Sequence, residues 1–136
     1  MTSANNALAF SSGLASSDAA RMTIGSHVLV NIKNITDKEK LKFYNNIKPL
    51  FLEIIHKFKL NVANFCHKQF TPHGVTLLYL LTTSHLSCHT FVEEGVIAMD
   101  LFTCDKSQVP DPDELKKIIY AFFDNDIIIE MELIGR

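Results

Sequence analysis

The stretch VANFCHKQF (62–70), TPHG (71–74), VTLLYLLT (75–82) decides the fold class. Both flanks are rich in β-branched and aromatic residues, and Pro72 and Gly74 punctuate the middle, so they read as two strands of a hairpin. Downstream, VIAMDLF (96–102) reads as another strand. Upstream, IGSHVLVNI (24–32) alternates and is β-branched, giving a first strand. The intervening SHLSCHTF (84–91) is ambiguous, with too many β-branched and polar residues to read as a helix.

Two segments change period. From Asp37, the residues Leu41, Tyr44, Ile47, Phe51, Ile54, Ile55 and Phe58 recur at three- and four-residue steps, an amphipathic helix. Pro49 lies inside this run and is expected to kink it or split it in two. A second helix starts at Asp111 as cap, with Pro112 in its first turn and Glu114 completing a capping box ahead of Leu115, Ile118, Ile119 and Phe122. The last strand, 127–133, turns Ile129, Met131 and Leu133 inward and Glu130 and Glu132 outward.

This order predicts an α+β fold, a two-layer sandwich with helices on one face of a largely antiparallel sheet. The other face of so apolar a sheet is left to cover, which predicts a homodimer forming a larger sandwich. The 136 residues suit one domain, expected over 23–136 behind a flexible tail of Ser, Ala and Asn over 1–22. That tail lacks the basic start and long apolar stretch of a secretory signal. A formal charge of −2 without blocks of Lys or Arg points away from nucleic acid and anionic membrane. The longest apolar run, 77–81, is too short to cross a bilayer. Three cysteines at no staple-like spacing fit a reducing, cytoplasmic setting.

Reactive side chains crowd into SHLSCHT (84–90), with Cys104 further on. A metal site would pair His85 with His89, but that spacing suits a helix, and no second pair completes the set, so no metal is expected. A Cys–His hydrolase using Cys88 or Cys104 with His89 is another reading, and buried strand residues with ordinary hydrogen bonds a third.

The full string adds more. FTPHGVT (70–76), SHLSCHTFVEEG (84–95) and DLFTC (100–104) closely resemble the prokaryotic S-adenosylmethionine decarboxylase proenzymes, which read approximately F-S-P-x-G-V-S, E-S-H-I-S-I-H-T-W-P-E-x-G and D-x-F-T-C-G. GSH (25–27) is similar to that family's G-x-H start.

The resemblance implies a chain that makes its own cofactor. Ser84 matches the serine whose hydroxyl attacks the preceding carbonyl, here that of Thr83, so that the chain cleaves between 83 and 84 and leaves a pyruvoyl group. His89 matches the base of this self-processing, a task imidazole suits near neutral pH. The pyruvoyl carbonyl forms a Schiff base with the substrate and serves as electron sink, with no metal and no pyridoxal phosphate. Cys104 matches the proton donor that completes turnover. For substrate binding, Phe70 matches a ring stacking on adenine, Glu93 an acid for ribose hydroxyls, Phe91 the usual Trp, and Thr76 the usual Ser. The implied activity is decarboxylation of S-adenosylmethionine, supplying aminopropyl groups for spermidine. An ornithine or arginine decarboxylase of the same chemistry, or an uncleaved non-catalytic homologue, are the alternatives.

The match departs at five further positions. Thr83 replaces a glutamate, Val92 a Pro, Leu77 a Gly, Cys88 an Ile, and Asp105 a Gly. On a flat strand Ser84 and His89 would face opposite ways, so the implied mechanism calls for a turn or bulge between them.

Overall fold

The computed structural model describes residues 24–136; the tail expected over 1–22 lies outside them, as does residue 23. In chain order the elements are β1 (Ser26–Lys33), α1 (Glu39–Lys42), α2 (Tyr44–Lys57), β2 (Val62–Gln69), β3 (Val75–Leu81), β4 (Ser84–Phe91), β5 (Val96–Thr103), a short 3-10 turn (Lys106–Gln108), α3 (Pro112–Phe122) and β6 (Ile128–Gly135). Among the described residues six strands form one sheet in the order β2-β3-β4-β5-β1-β6, and every neighbouring pair is antiparallel. The expected α+β architecture is the one observed.

Alternation decides which side chains enter the core. Val28, Val30 and Ile32 of β1, Val75, Leu77, Tyr79 and Leu81 of β3, Leu86 and Cys88 of β4, and Ile97, Met99 and Leu101 of β5 are all buried. Ile47, Leu50, Phe51 and Ile54 of α2 and Leu115 and Ile119 of α3 join them in the same hydrophobic cluster. Each fully buried Leu, Ile or Phe contributes about 1.5–3 kcal/mol over leaving it in water. The other sheet face keeps Leu29, Leu78, Leu80, Phe91 and Ile128 exposed.

The ambiguous segment 84–91 is a complete strand in the middle of the sheet, paired with β3 on one side and β5 on the other. His85, Ser87 and His89 alternate outward while Leu86 and Cys88 point into the core.

The first helix breaks upstream of Pro49. Phe43 is extended (φ −129°, ψ 146°) and separates α1 from α2, whereas Pro49 sits within α2. Proline at this position deprives the Asn45 carbonyl of its helical donor, and because Asn45 and Pro49 are both exposed, water can satisfy that oxygen.

Helix α3 begins as expected. Pro112 opens it and the Asp111 side chain accepts from the Asp113 N–H at 3.3 Å. The expected reciprocal arm differs: Glu114 turns its carboxylate to Lys57 and Lys117, at 3.3 and 3.4 Å.

Two turns fix the loops flanking the site. Gly74, at φ +112°, lets its carbonyl accept from the Phe70 N–H at 2.8 Å, closing the β2–β3 turn. Gly95, at φ +67°, packs so closely that a Cβ there would lie 2.6 Å from the Ile35 carbonyl oxygen.

Candidate active site

Ser84 is the first residue of β4 and shares the inner face with Leu86 and Cys88. Register places it opposite Thr103 of β5, which in turn faces Ser26 of β1, and both neighbours are fully buried. The Ser84 hydroxyl oxygen is itself buried and has no hydrogen-bond partner in the structure. Buried hydroxyls normally find a partner, so one without a protein partner beside a peptide carbonyl marks this position.

The residue before it is held by its carbonyl. The backbone N–H of Cys104 donates to the Thr83 carbonyl oxygen at 3.0 Å. A donor on that oxygen draws charge away from the carbonyl carbon and would stabilise an oxyanion forming there. Cys104 is exposed, directly after β5. Asp105 follows it and caps the 3-10 turn, its carboxylate accepting from the Ser107 hydroxyl and N–H at 2.7 and 2.9 Å. Those bonds hold its pKa below the ordinary carboxylate value. A glycine could not supply that cap, so the Asp105 departure has a structural role.

The other site residues gather at the far end of β4. Thr76 Oγ1 and His89 Nδ1 lie 2.9 Å apart across the β3–β4 pair, on the open face. Phe91 is exposed two residues on, and Phe70, also exposed, closes the neighbouring β2–β3 turn. Glu93, in the loop after β4, lies 3.4 Å from His73 Nε2.

The two clusters do not meet within one chain. β4 runs unbroken in register against β3 and β5, so the turn or bulge expected between Ser84 and His89 is absent. At the usual strand rise the two residues are about 16 Å apart and on opposite faces. The same pleat separates His85 and His89 by about 13 Å along one face, which removes them as a helical metal pair. Cys88 lies on the inner face, where burial pushes its thiol pKa up and keeps it protonated. It cannot serve as a nucleophile with His89.

Three of the departures from the decarboxylase pattern prove to be packing. Leu77, Cys88 and Val92 are all buried, and Leu77 sits directly opposite Cys88. The pattern places Gly and Ile at these two positions, so the large and the small residue of the facing pair have exchanged sides.

Sequence reading assigned no joint role to one further group. On the open face, His27 Nε2 lies 2.6 Å and His85 Nε2 3.1 Å from Asp100 Oδ2, and the Ser87 hydroxyl donates to Oδ1. Half-burial works to raise the Asp100 pKa, but the hydrogen bonds from Ser87, His27 and His85 outweigh it and hold the carboxyl below its ordinary value. Only the register of β1 and β4 on β5 brings these residues together. Their common face was readable from alternation once each strand was assigned.

This architecture is that of a class of small decarboxylases. The crystal structure of the adenosylmethionine decarboxylase from Aquifex aeolicus superposes with a TM-score of 0.65 at 26% identity, covering 85% of this chain and 93% of that one. The S-adenosylmethionine decarboxylase proenzyme of Archaeoglobus fulgidus is 34% identical over 89 residues, 65% of this chain and 79% of the relative. Proenzyme 2 of Bacillus anthracis is 38% identical over 91 residues, 65% of this chain and 71% of the relative. A family model described as S-adenosylmethionine decarboxylase matches residues 26–131. The chain belongs to the S-adenosylmethionine decarboxylase family. Among the described residues, no helix is long and apolar enough to cross a membrane.

Proposed function

We propose that this chain is a proenzyme that cleaves itself between Thr83 and Ser84 and then decarboxylates S-adenosylmethionine. The observation that carries this reading is the Cys104 N–H on the Thr83 carbonyl, beside a buried Ser84 hydroxyl without a partner. The Ser84 oxygen adds to the Thr83 carbonyl carbon, the C–N bond breaks, and the freed amine takes the hydroxyl proton, leaving an ester. A base then removes the Ser84 α-hydrogen and the Thr83 carboxylate leaves. Water hydrolyses the resulting dehydroalanine with loss of ammonia. No step needs a side chain at Thr83, because the attacked group is backbone.

Ser84 fits as the source of the pyruvoyl group, since its oxygen is buried and the Thr83 carbonyl before it accepts the Cys104 N–H. When present, that group supplies an electron sink for the loss of CO₂. Cys104, placed by the same backbone contact at the same end of β4, holds the proton returned to the substrate's α-carbon.

The base is His89, with Thr76 fixing its ring through Nδ1. A single chain keeps His89 about 16 Å from Ser84. We place a second copy against the open sheet face, whose exposed Leu78, Leu80 and Phe91 favour burial. A two-fold axis in such a homodimer can set the His89 end of one copy beside the Ser84 end of the other. Phe70, Thr76, Phe91 and Glu93 belong to the His89 end, so each site would take its chemistry from one copy and its substrate contacts from the other. Exposed rings suit adenine beside a sulfonium, and a carboxylate suits ribose hydroxyls. The product would feed aminopropyl transfer to spermidine, in a reducing, cytoplasmic compartment that leaves the three cysteines free.

Carboxyl-labelled S-adenosylmethionine, ornithine and arginine distinguish the substrates. The reading predicts labelled CO₂ from S-adenosylmethionine alone. Release from ornithine or arginine instead would transfer the chemistry to a basic amino acid, and release from none would leave a non-catalytic relative.

A further inference from the structure

We propose that His27, His85 and Asp100 form a binding site for a divalent transition-metal ion of the zinc class. This does not rest on the reading of Ser84. His27 and His85 occupy one cross-strand row, each directly opposite Phe102, and Asp100 lies two residues along β5 from Phe102 on the same face. The Phe102 ring packs against both imidazoles, at centroid distances of 5.6 and 6.0 Å. Three neighbouring strands therefore present one donor atom each, and all three atoms lie within 4.8 Å of one another.

The donor set and its spacing match the chemistry of such ions. Two imidazole nitrogens and one carboxylate oxygen suit zinc, and also other first-row divalent ions, leaving a coordination position open. With bonds of about 2.0–2.1 Å, a tetrahedral site sets its donors about 3.3 Å apart. The present separations from Asp100 Oδ2, 2.6 and 3.1 Å, need to open by less than an ångström. Both Nε2 atoms already aim at that one oxygen, so the ion replaces bridging protons. Ser87 engages the other carboxylate oxygen, Oδ1, and so orients Oδ2, which is how ligating carboxylates are commonly held. The side chains are half-buried, with 23%, 38% and 21% of their surfaces exposed, enough for an ion to enter.

The test is calorimetric titration of the full, tag-free chain with zinc chloride, followed by cobalt(II) absorption to report coordination. The account expects one ion per chain and the ligand-field bands of a low-coordinate cobalt site. His85→Gln retains an amide that can donate to Asp100 but is a poor ligand, and it should weaken binding at least about tenfold. His27→Gln should do the same and serves if the first variant does not fold. No saturable binding by the native chain, or equal affinity in the folded Gln variants, would overturn the proposal.

Discussion

The amide N–H of Cys104 donates to the carbonyl oxygen of Thr83 at 3.0 Å, tying the end of β5 to the peptide that precedes β4. Because the donor is backbone, the Cys104 side chain is free for another task. Replacing it separates the two. Cys104→Ala should still mature into two fragments, while turnover falls by about 10²–10⁴, the range for losing a positioned proton donor. Fragment masses and initial rates on one preparation check this. Failure to cleave would assign the thiol itself to processing.

Thr76 and His89 share a 2.9 Å contact on the opposite face, far from Ser84. If the base comes from a second copy, chains carrying Ser84→Ala and chains carrying His89→Ala should complement each other. Alone, neither should cleave. Mixed, heterodimers hold one intact pairing of Ser84 with His89, so about a quarter of the native sites should form under random two-fold pairing. Absence of any rescue in verified heterodimers would place the base within the same chain.

Asp100 makes stability depend on acid. Its folded pKa is lowered from 3.8, so the folded state binds fewer protons than the unfolded chain across the carboxylate range. The stability it adds is present in full above the unfolded value and is lost as pH falls through the folded one. Melting temperatures of the native chain and Asp100→Asn should therefore differ at pH 6 and converge below about pH 4. A gap unchanged at low pH would mean the carboxylate's charge is not what stabilises the cluster.

Gly95 sits at φ +67°, with the Ile35 carbonyl where a Cβ would be. Gly95→Ala should lower stability by about 1–3 kcal/mol, the cost of a strained backbone position. It should also disturb the loop carrying Glu93, so KM should rise more than kcat falls. Denaturant unfolding and steady-state kinetics test both.

Much of this was legible in the sequence. The hairpin over 62–82, the first and last strands and the capped α3 follow from alternation and turn residues, because local signals there agree with the tertiary fold. β4 was not legible: its outward positions are His85, Ser87, His89 and the apolar Phe91, and its inward ones include the polar Ser84, so polar and apolar residues never separated cleanly. The helix break at Phe43 was hidden because a proline nearby gave the stronger signal. The His27–Asp100–His85 group needed strand register. The separation of Ser84 from His89 was foreseeable from pleat alone, and the expected bulge did not remove it.

Self-cleavage at Ser84 is read out by a denaturing mass spectrum of the freshly purified chain. Two fragments are expected, 1–83 and 84–136, the second beginning with a pyruvoyl group. A single intact chain with an unmodified serine at 84, stable on prolonged incubation at neutral pH, would contradict it.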